Sequence, residues 1–181
     1  MARVSLIDEE NRPELSGLIA KIRGARGGRL LNIYRIMLHS PALAGGWFEL
    51  NQAVRYKTEV DGQSRELAMM RVAILNDVDY ILRAHSRTYA LKEGLTPAQV
   101  DALTEWSASG LFSDQQRALL AYVDAMTRQI DVSDEVFEAV RAHYNERQVV
   151  ELTMLVGAYN MLTRVLKALK IDSEPPTGQS G

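Results

Sequence analysis

The segment from Ser64 to His85 holds the groups in this chain best placed to move a proton. A carboxylate beside an imidazole fixes the ring's tautomer and raises its basicity, and the pair then works as a proton shuttle. Glu66 and His85 are the candidate pair. They stand 19 residues apart. In one continuous helix that spacing separates them by about 28 Å, so the chain must reverse between them. Asn76-Asp77 offers the break: both side chains compete with helical hydrogen bonding, and Asp77 can cap a second helix. After such a reversal, Glu66 near the start of one helix faces His85 about two turns into the next. Val78, Ile81, Leu82, His85 and Tyr89 then share one side of that second helix. The same contact has a plainer reading, in which His85 is a core histidine satisfied by Glu66 and does no chemistry.

Composition bounds what this pair can serve. The chain has 181 residues, 46% of them hydrophobic and 24% charged, with a formal net charge of −2. That profile suits a folded globular chain with a real core. It lacks the basic field that general nucleic-acid binding needs. There are 0 cysteines, which removes disulfides, thiolate metal sites and thiol-based redox chemistry together. Absence of cysteine fits a cytoplasmic protein. The first ten residues carry no long apolar stretch and turn acidic at Asp8-Glu9-Glu10, unlike a signal peptide or anchor. No apolar run is expected to reach the roughly 18 residues of a membrane-spanning helix.

The elements that must position the pair are helical throughout. Ser40-Pro41 and Thr96-Pro97 are N-cap and first-turn pairs. Thr96 with Gln99 and Ser113 with Gln116 form capping boxes, Asn145 with Gln148 resembles one, and Ser133 precedes two acids in a first turn. Leu119, Leu120, Val123, Met126, Thr127 and Ile130 keep helical rhythm, as do Val149 through Leu169. The spacing predicts helices over 13–24, 30–38, 41–57, 63–76, 78–93, 97–107, 114–130, 134–144 and 146–170, and no sheet. Residues 24–29 read as a flexible Gly/Arg-rich connection and 58–63 as a turn. Residues 172–181, devoid of large apolar side chains, read as a disordered tail. Val72-Ala73-Ile74-Leu75-Asn76 faintly echoes Val156-Gly157-Ala158-Tyr159-Asn160.

The Glu66-to-His85 stretch resembles the carboxymuconolactone decarboxylase and alkylhydroperoxidase D (AhpD-like) superfamily. Its peroxidase branch carries a Glu, then Cys-x-x-Cys, then a His four residues after the second Cys. In this register the cysteine positions fall on Val78 and Ile81, and Tyr80 stands where a His is common. The decarboxylase branch lacks the cysteines and keeps the Glu and His. Leu82-Arg83-Ala84-His85 is similar to its Leu-Arg-x-His segment, and Ala90 to Pro97 is similar to the family's helix exit. His39-Ser40-Pro41 and Leu31 to Arg35 resemble segments of other members, so the likeness covers roughly residues 30–170. The resemblance implies an all-α, AhpD-like helical bundle in a single domain. An N-terminal helix and connection (1–29) precede a helical domain (30–171), and a tail (172–181) follows. It also implies a homo-oligomer, trimer or hexamer.

The activity implied is that of a cofactor-independent lyase of the decarboxylase type, acting on a small carboxylated lactone or related acid. His85 would be the acid, Glu66 its orienter, and Tyr80 or Arg83 would bind substrate oxygens. No metal or organic cofactor is called for, and neither nucleic acid nor membrane is expected as a partner. The second reading is a non-catalytic oligomeric binding or scaffold protein on the same fold. Thiol peroxidase activity is disfavoured because it needs a cysteine nucleophile. Each candidate has a plainer alternative: Tyr80 as a packed ring with its hydroxyl at the surface, Arg83 as an exposed or paired cation, and Tyr89 as core. Arg71 reads as half of a structural ion pair, and His39 and His143 as helix-end residues. The histidines lack metal-ligand spacing. Arg23, Arg26 and Arg29 among glycines read as a solvated or subunit-contact loop, and the methionines as core filler.

Overall fold

Caps and prolines set the helix boundaries. The computed structural model describes residues 2–174, and no strand occurs among them. Two short 3-10 turns, Glu9–Asn11 and Pro13–Leu15, lead into α1 (Ser16–Gly24). There follow α2 (Asn32–Met37), α3 (Pro41–Tyr56) and α4 (Gly62–Leu75). After α5 (Asp79–Ala84) comes a π-helical turn at His85–Tyr89, then α6 (Ala90–Lys92) and α7 (Pro97–Ala102). A 3-10 stretch, Leu103–Ala108, precedes α8 (Asp114–Arg128), α9 (Asp134–Arg141) and α10 (Glu146–Leu169). The expected all-α architecture is therefore the one that forms. Both capping boxes close: Thr96 with Gln99 at α7, and Ser113 with Gln116 at α8. At α10 the Asn145 N–H donates to Gln148 Oε1 (3.1 Å) and the Gln148 N–H to Asn145 Oδ1 (2.9 Å). Satisfying these first-turn donors fixes where each helix begins.

The residues gather into two compact units. One is built from the chain up to Ala53 together with the segment from Leu166. Its apolar centre joins Ile7, Leu15, Ile19, Leu38 and Ala44. The Arg3 N–H donates to the Leu169 carbonyl (2.8 Å), and the Asn32 N–H to Glu174 Oε1 (2.7 Å). So Glu174, in the expected tail, is tied down by a hydrogen bond, while residues 175–181 of that tail lie outside the described residues. The Gly/Arg-rich connection is a defined turn. Gly27 and Gly28 take φ of +61° and +82°, a region glycine enters without a Cβ penalty. The Arg26 guanidinium donates to Tyr34 Oη (3.2 Å) and to Asn51 Oδ1, so it is not the solvated cation that its setting suggested.

The second unit, Val54–Val165, is organised around α4. Glu66 through Ala73 are all buried, so this helix has no solvent face over that run. It packs on α8 and on α5. Arg71 crosses to α8, donating from Nε and Nη2 to the two oxygens of Asp124 (2.6 and 2.7 Å). Its Nη1 donates to the Leu103 and Thr104 carbonyls (3.0 and 2.9 Å). The expected structural ion pair exists, and every polar group of this buried cation is satisfied, which is the condition for tolerating it.

One expectation fails on α10. Its 24 residues are long and apolar enough to cross a membrane by length and composition. Half of that apolar stretch (50%) is buried inside the protein, as in a core helix. Polar breaks such as Asn160, Thr163 and Arg164 hid the length of the run in the sequence.

Candidate functional site

The reversal that brings Glu66 to His85 forms at Asn76-Asp77. Asn76 ends α4, and its side chain donates to the Val72 carbonyl (3.0 Å) and to Asn160 Oδ1 (3.1 Å). Asp77 turns the chain with φ +53°, a left-handed value that Asp tolerates better than most residues. It does not cap α5, as the sequence suggested. Val78 occupies the N-cap position in extended geometry, with no side-chain cap bond. Adopting the left-handed turn moves Asp77 one position too far upstream to cap.

The outcome is a direct contact. His85 Nδ1 lies 2.7 Å from Glu66 Oε2, with both residues buried (5% and 4% exposed). An ionised carboxylate only accepts, so the Nδ1–H donates to Glu66 and Nε2 is left to give or take a proton. No hydrogen bond to Nε2 occurs among the described residues. His85 also opens the π turn, its carbonyl accepting from the Ala90 N–H. Single wide turns of this kind re-aim side chains and are frequent at functional sites.

Three more side chains of the second unit surround the pair. The Tyr159 ring, buried on α10, meets the imidazole edge to face at 6.2 Å and 84°. Tyr89 lies tilted against the imidazole at 5.3 Å. The sequence places Tyr89 in the core, yet it is 42% exposed, because the widened turn shifts its register from that of an α-helix. Arg55, in the last turn of α3, was missed altogether. It is only 7% exposed, and its guanidinium lies 4.9 Å from the Tyr56 ring and 5.4 Å from the Tyr89 ring. Its Nε is buried without a hydrogen-bond partner. Burial opposes its charge, but Tyr159, Tyr56, the Glu66 carboxylate and Tyr89 outweigh that, and its pKa rises above the ordinary arginine value. Arg55 is therefore a cation at neutral pH. The one available sequence signal was helical phase: Arg55 continues the buried stripe Ala44, Phe48, Asn51 of α3.

Tyr80 and Arg83 lie on α5. Tyr80 is half-buried. The Arg83 side chain is 72% exposed and sits 4.0 Å from Asp79, one helical turn back. Among the described residues, Arg83 makes no hydrogen bond or ion pair with Glu66 or His85. Val78 and Ile81, at the positions the thiols take in the resembling peroxidases, are buried apolar residues. His39 contacts the Ser5 carbonyl (2.8 Å), in keeping with a structural role. Among the described residues, no three His, Asp or Glu side chains converge as a metal-binding set.

Known proteins resemble this chain in sequence and in fold. The chain is 27% identical over 115 residues to the uncharacterized protein YdfG of Bacillus subtilis (strain 168), which covers 62% of this chain and 78% of that one. Its fold matches that of the Agrobacterium tumefaciens protein ATU0492, described as a protein of unknown function and putative antioxidant defence protein AhpD. The TM-score is 0.72 at 24% identity, covering 77% of this chain and 96% of that one. It also matches a variant of the debrominase Bmp8 in complex with 2,3,4-tribromopyrrole, with a TM-score of 0.80 at 19% identity over 96% and 94% of the two chains. Residues 41–125 match the model of the Carboxymuconolactone decarboxylase family, a span that contains Arg55, Glu66, His85 and Tyr89. Over that span the chain is similar to the carboxymuconolactone decarboxylase family, and its helical fold is similar to that of an AhpD-like protein.

Proposed function

We propose that this protein is a cofactor-independent enzyme that moves a proton on a small carboxylated lactone or related acid. The observation that carries the reading is the buried 2.7 Å contact between His85 Nδ1 and Glu66 Oε2. In a decarboxylation, the bond to the carboxylate carbon breaks and its electron pair delocalises into the unsaturated ring as carbon dioxide leaves. His85, as the imidazolium, then delivers its Nε2 proton to carbon and becomes neutral. Glu66 holds the Nδ1–H throughout and stabilises the charged ring before transfer. Tyr80 and Arg83 stay candidates for contacts to substrate oxygens at the start of the same helical segment. A fold neighbour that holds 2,3,4-tribromopyrrole supports a small planar ring as the kind of ligand this architecture takes.

The protein is further proposed to work as a homo-oligomer. Val150, Met154 and Met161 are exposed at helical spacing on α10 and would be covered by a partner copy. A non-catalytic binding role is the second reading, favoured by Val78 and Ile81 at the thiol positions. The test is mass spectrometry of small acids that co-purify with the protein, followed by turnover of those acids and their lactone analogues by wild type and His85→Gln. Turnover lost in the variant supports the proposal. Full turnover in His85→Gln ends it, and tight binding without turnover by wild type selects the second reading.

A further inference from the structure

A buried arginine normally spends its donors on carboxylates or carbonyls, as Arg71 does here. Arg55 does not. Its Nε is buried and unpartnered, and its guanidinium lies 4.9 Å and 5.4 Å from two phenol rings. The rings attract the cation electrostatically, and no hydrogen bond from Arg55 occurs among the described residues, so its N–H donors can serve an oxyanion. The Glu66 carboxylate is near enough to act on Arg55 electrostatically, yet its Oε2 is engaged by His85. Tyr89 touches both groups, with its ring 5.4 Å from the Arg55 guanidinium and 5.3 Å from the imidazole. Being partly exposed, that ring can give way to a ligand arriving from solvent.

We infer that Arg55 is the anion receptor of this site. It takes the carboxylate of a small planar acid bidentately beside Tyr89, and so sets specificity for acids over neutral rings. The inference rests on the proposed proton-transfer site, but it concerns binding and is tested without turnover. A guanidinium and a carboxylate match as two parallel N–H···O bonds, a geometry that lysine cannot reproduce. The acid would relieve the orphaned Nε and leave its ring against Tyr89, next to Nε2 of His85.

The experiment uses the full chain and three probe acids, 2-furoate, benzoate and levulinate, with 2-acetylfuran as the neutral control. Binding is followed by calorimetry and by the ¹⁵N-resolved Nε–H resonance of Arg55 in wild type. At least one acid is expected to bind saturably and to shift that resonance, while 2-acetylfuran does not. Arg55→Gln and Arg55→Lys are each expected to weaken that acid by about tenfold or more, the size of a lost charged hydrogen-bond pair. The readout is binding and not turnover, so failure of the relay and failure of the receptor are separable. An unmoved Arg55 resonance with every acid would overturn the inference even if the variants fail to fold. Undiminished acid binding in folded Arg55→Gln would overturn it equally.

Discussion

Asn76 and Asn160 are mirror partners: each donates its amide to the carbonyl four residues before it, and the Asn76 amide also donates to the Asn160 oxygen at 3.1 Å. The faint echo between residues 72–76 and 156–160 thus becomes a physical contact between the ends of its two copies. Asn160 extends the network to Thr127 Oγ1 at 3.0 Å, so α4, α8 and α10 are pinned together where the chain reverses toward His85. Asn76→Ala is expected to cost about 1–2 kcal/mol, the range for a half-buried hydrogen-bonded group. Urea unfolding of Asn76→Ala, Asn160→Ala and the double variant should give a clear coupling energy, since the two residues share a bond. Strict additivity would show that the contact adds nothing.

Arg71 and Asp124 should behave as a structural unit. Removing one partner of a buried, fully hydrogen-bonded ion pair typically costs about 3–5 kcal/mol. Asp124→Asn and Arg71→Met are each expected to lower the thermal midpoint steeply. Arg71→Lys should rescue little, because one ammonium cannot serve two carboxylate oxygens and two carbonyls at once. A lysine variant as stable as wild type would contradict this account.

Tyr144 predicts alkaline sensitivity. It is 3% exposed, and its O–H donates to Ser64 Oγ (2.8 Å), whose own proton goes to Asp61 Oδ2 (2.7 Å). Burial first, with Asp61 adding to it, raises its pKa above the ordinary tyrosine value of 10.0. A raised pKa in the folded state means that the neutral form is favoured by folding. Its contribution is complete below pH 10 and is lost as pH climbs through the folded-state value. Thermal midpoints measured from pH 8 to 11.5 should therefore fall for wild type at the alkaline end, and less so for Tyr144→Phe. Parallel curves for the two proteins would refute the assignment.

Glu66 can be separated from His85 by chemistry. Glu66→Gln keeps an oxygen that can accept from Nδ1–H but removes the charge that stabilises the imidazolium. Turnover of whatever acid proves to be the substrate should drop by about 10²–10⁴-fold, the usual worth of positioned acid–base assistance. Circular dichroism should stay unchanged. Wild-type rates in Glu66→Gln would demote the carboxylate to a packing role.

Much of this was legible because its causes are local. Thr96, Ser113, Ser133 and Asn145 mark helix starts through side-chain bonds spanning three residues, and Asn76-Asp77 marks a break for the same reason. The Glu66–His85 meeting followed once that break was granted. Arg55 was not legible. An arginine in the last turn of a helix ordinarily faces solvent and favours the helix dipole, and the neighbours that reach this one, Tyr89 and Tyr159, come from distant segments. Val78 replaced Asp77 as the N-cap residue because backbone geometry at Asp77 outranked its capping preference. The widening at His85–Tyr89 has no compositional mark, and it is why Tyr89 was misplaced.

That wide turn works as a phase-setter. It holds one residue more than an ordinary turn, so the compass bearing of every side chain after His85 is offset from the bearing of those before it. Bearing, here, is set by length and not by any side chain. Deleting one residue between Ser86 and Thr88 would restore an ordinary spiral and swing the imidazole and the phenol of Tyr89 out of alignment by about 100°, the arc of a single helical step. The proposed relay would lose its alignment although the chain kept every residue that takes part in it.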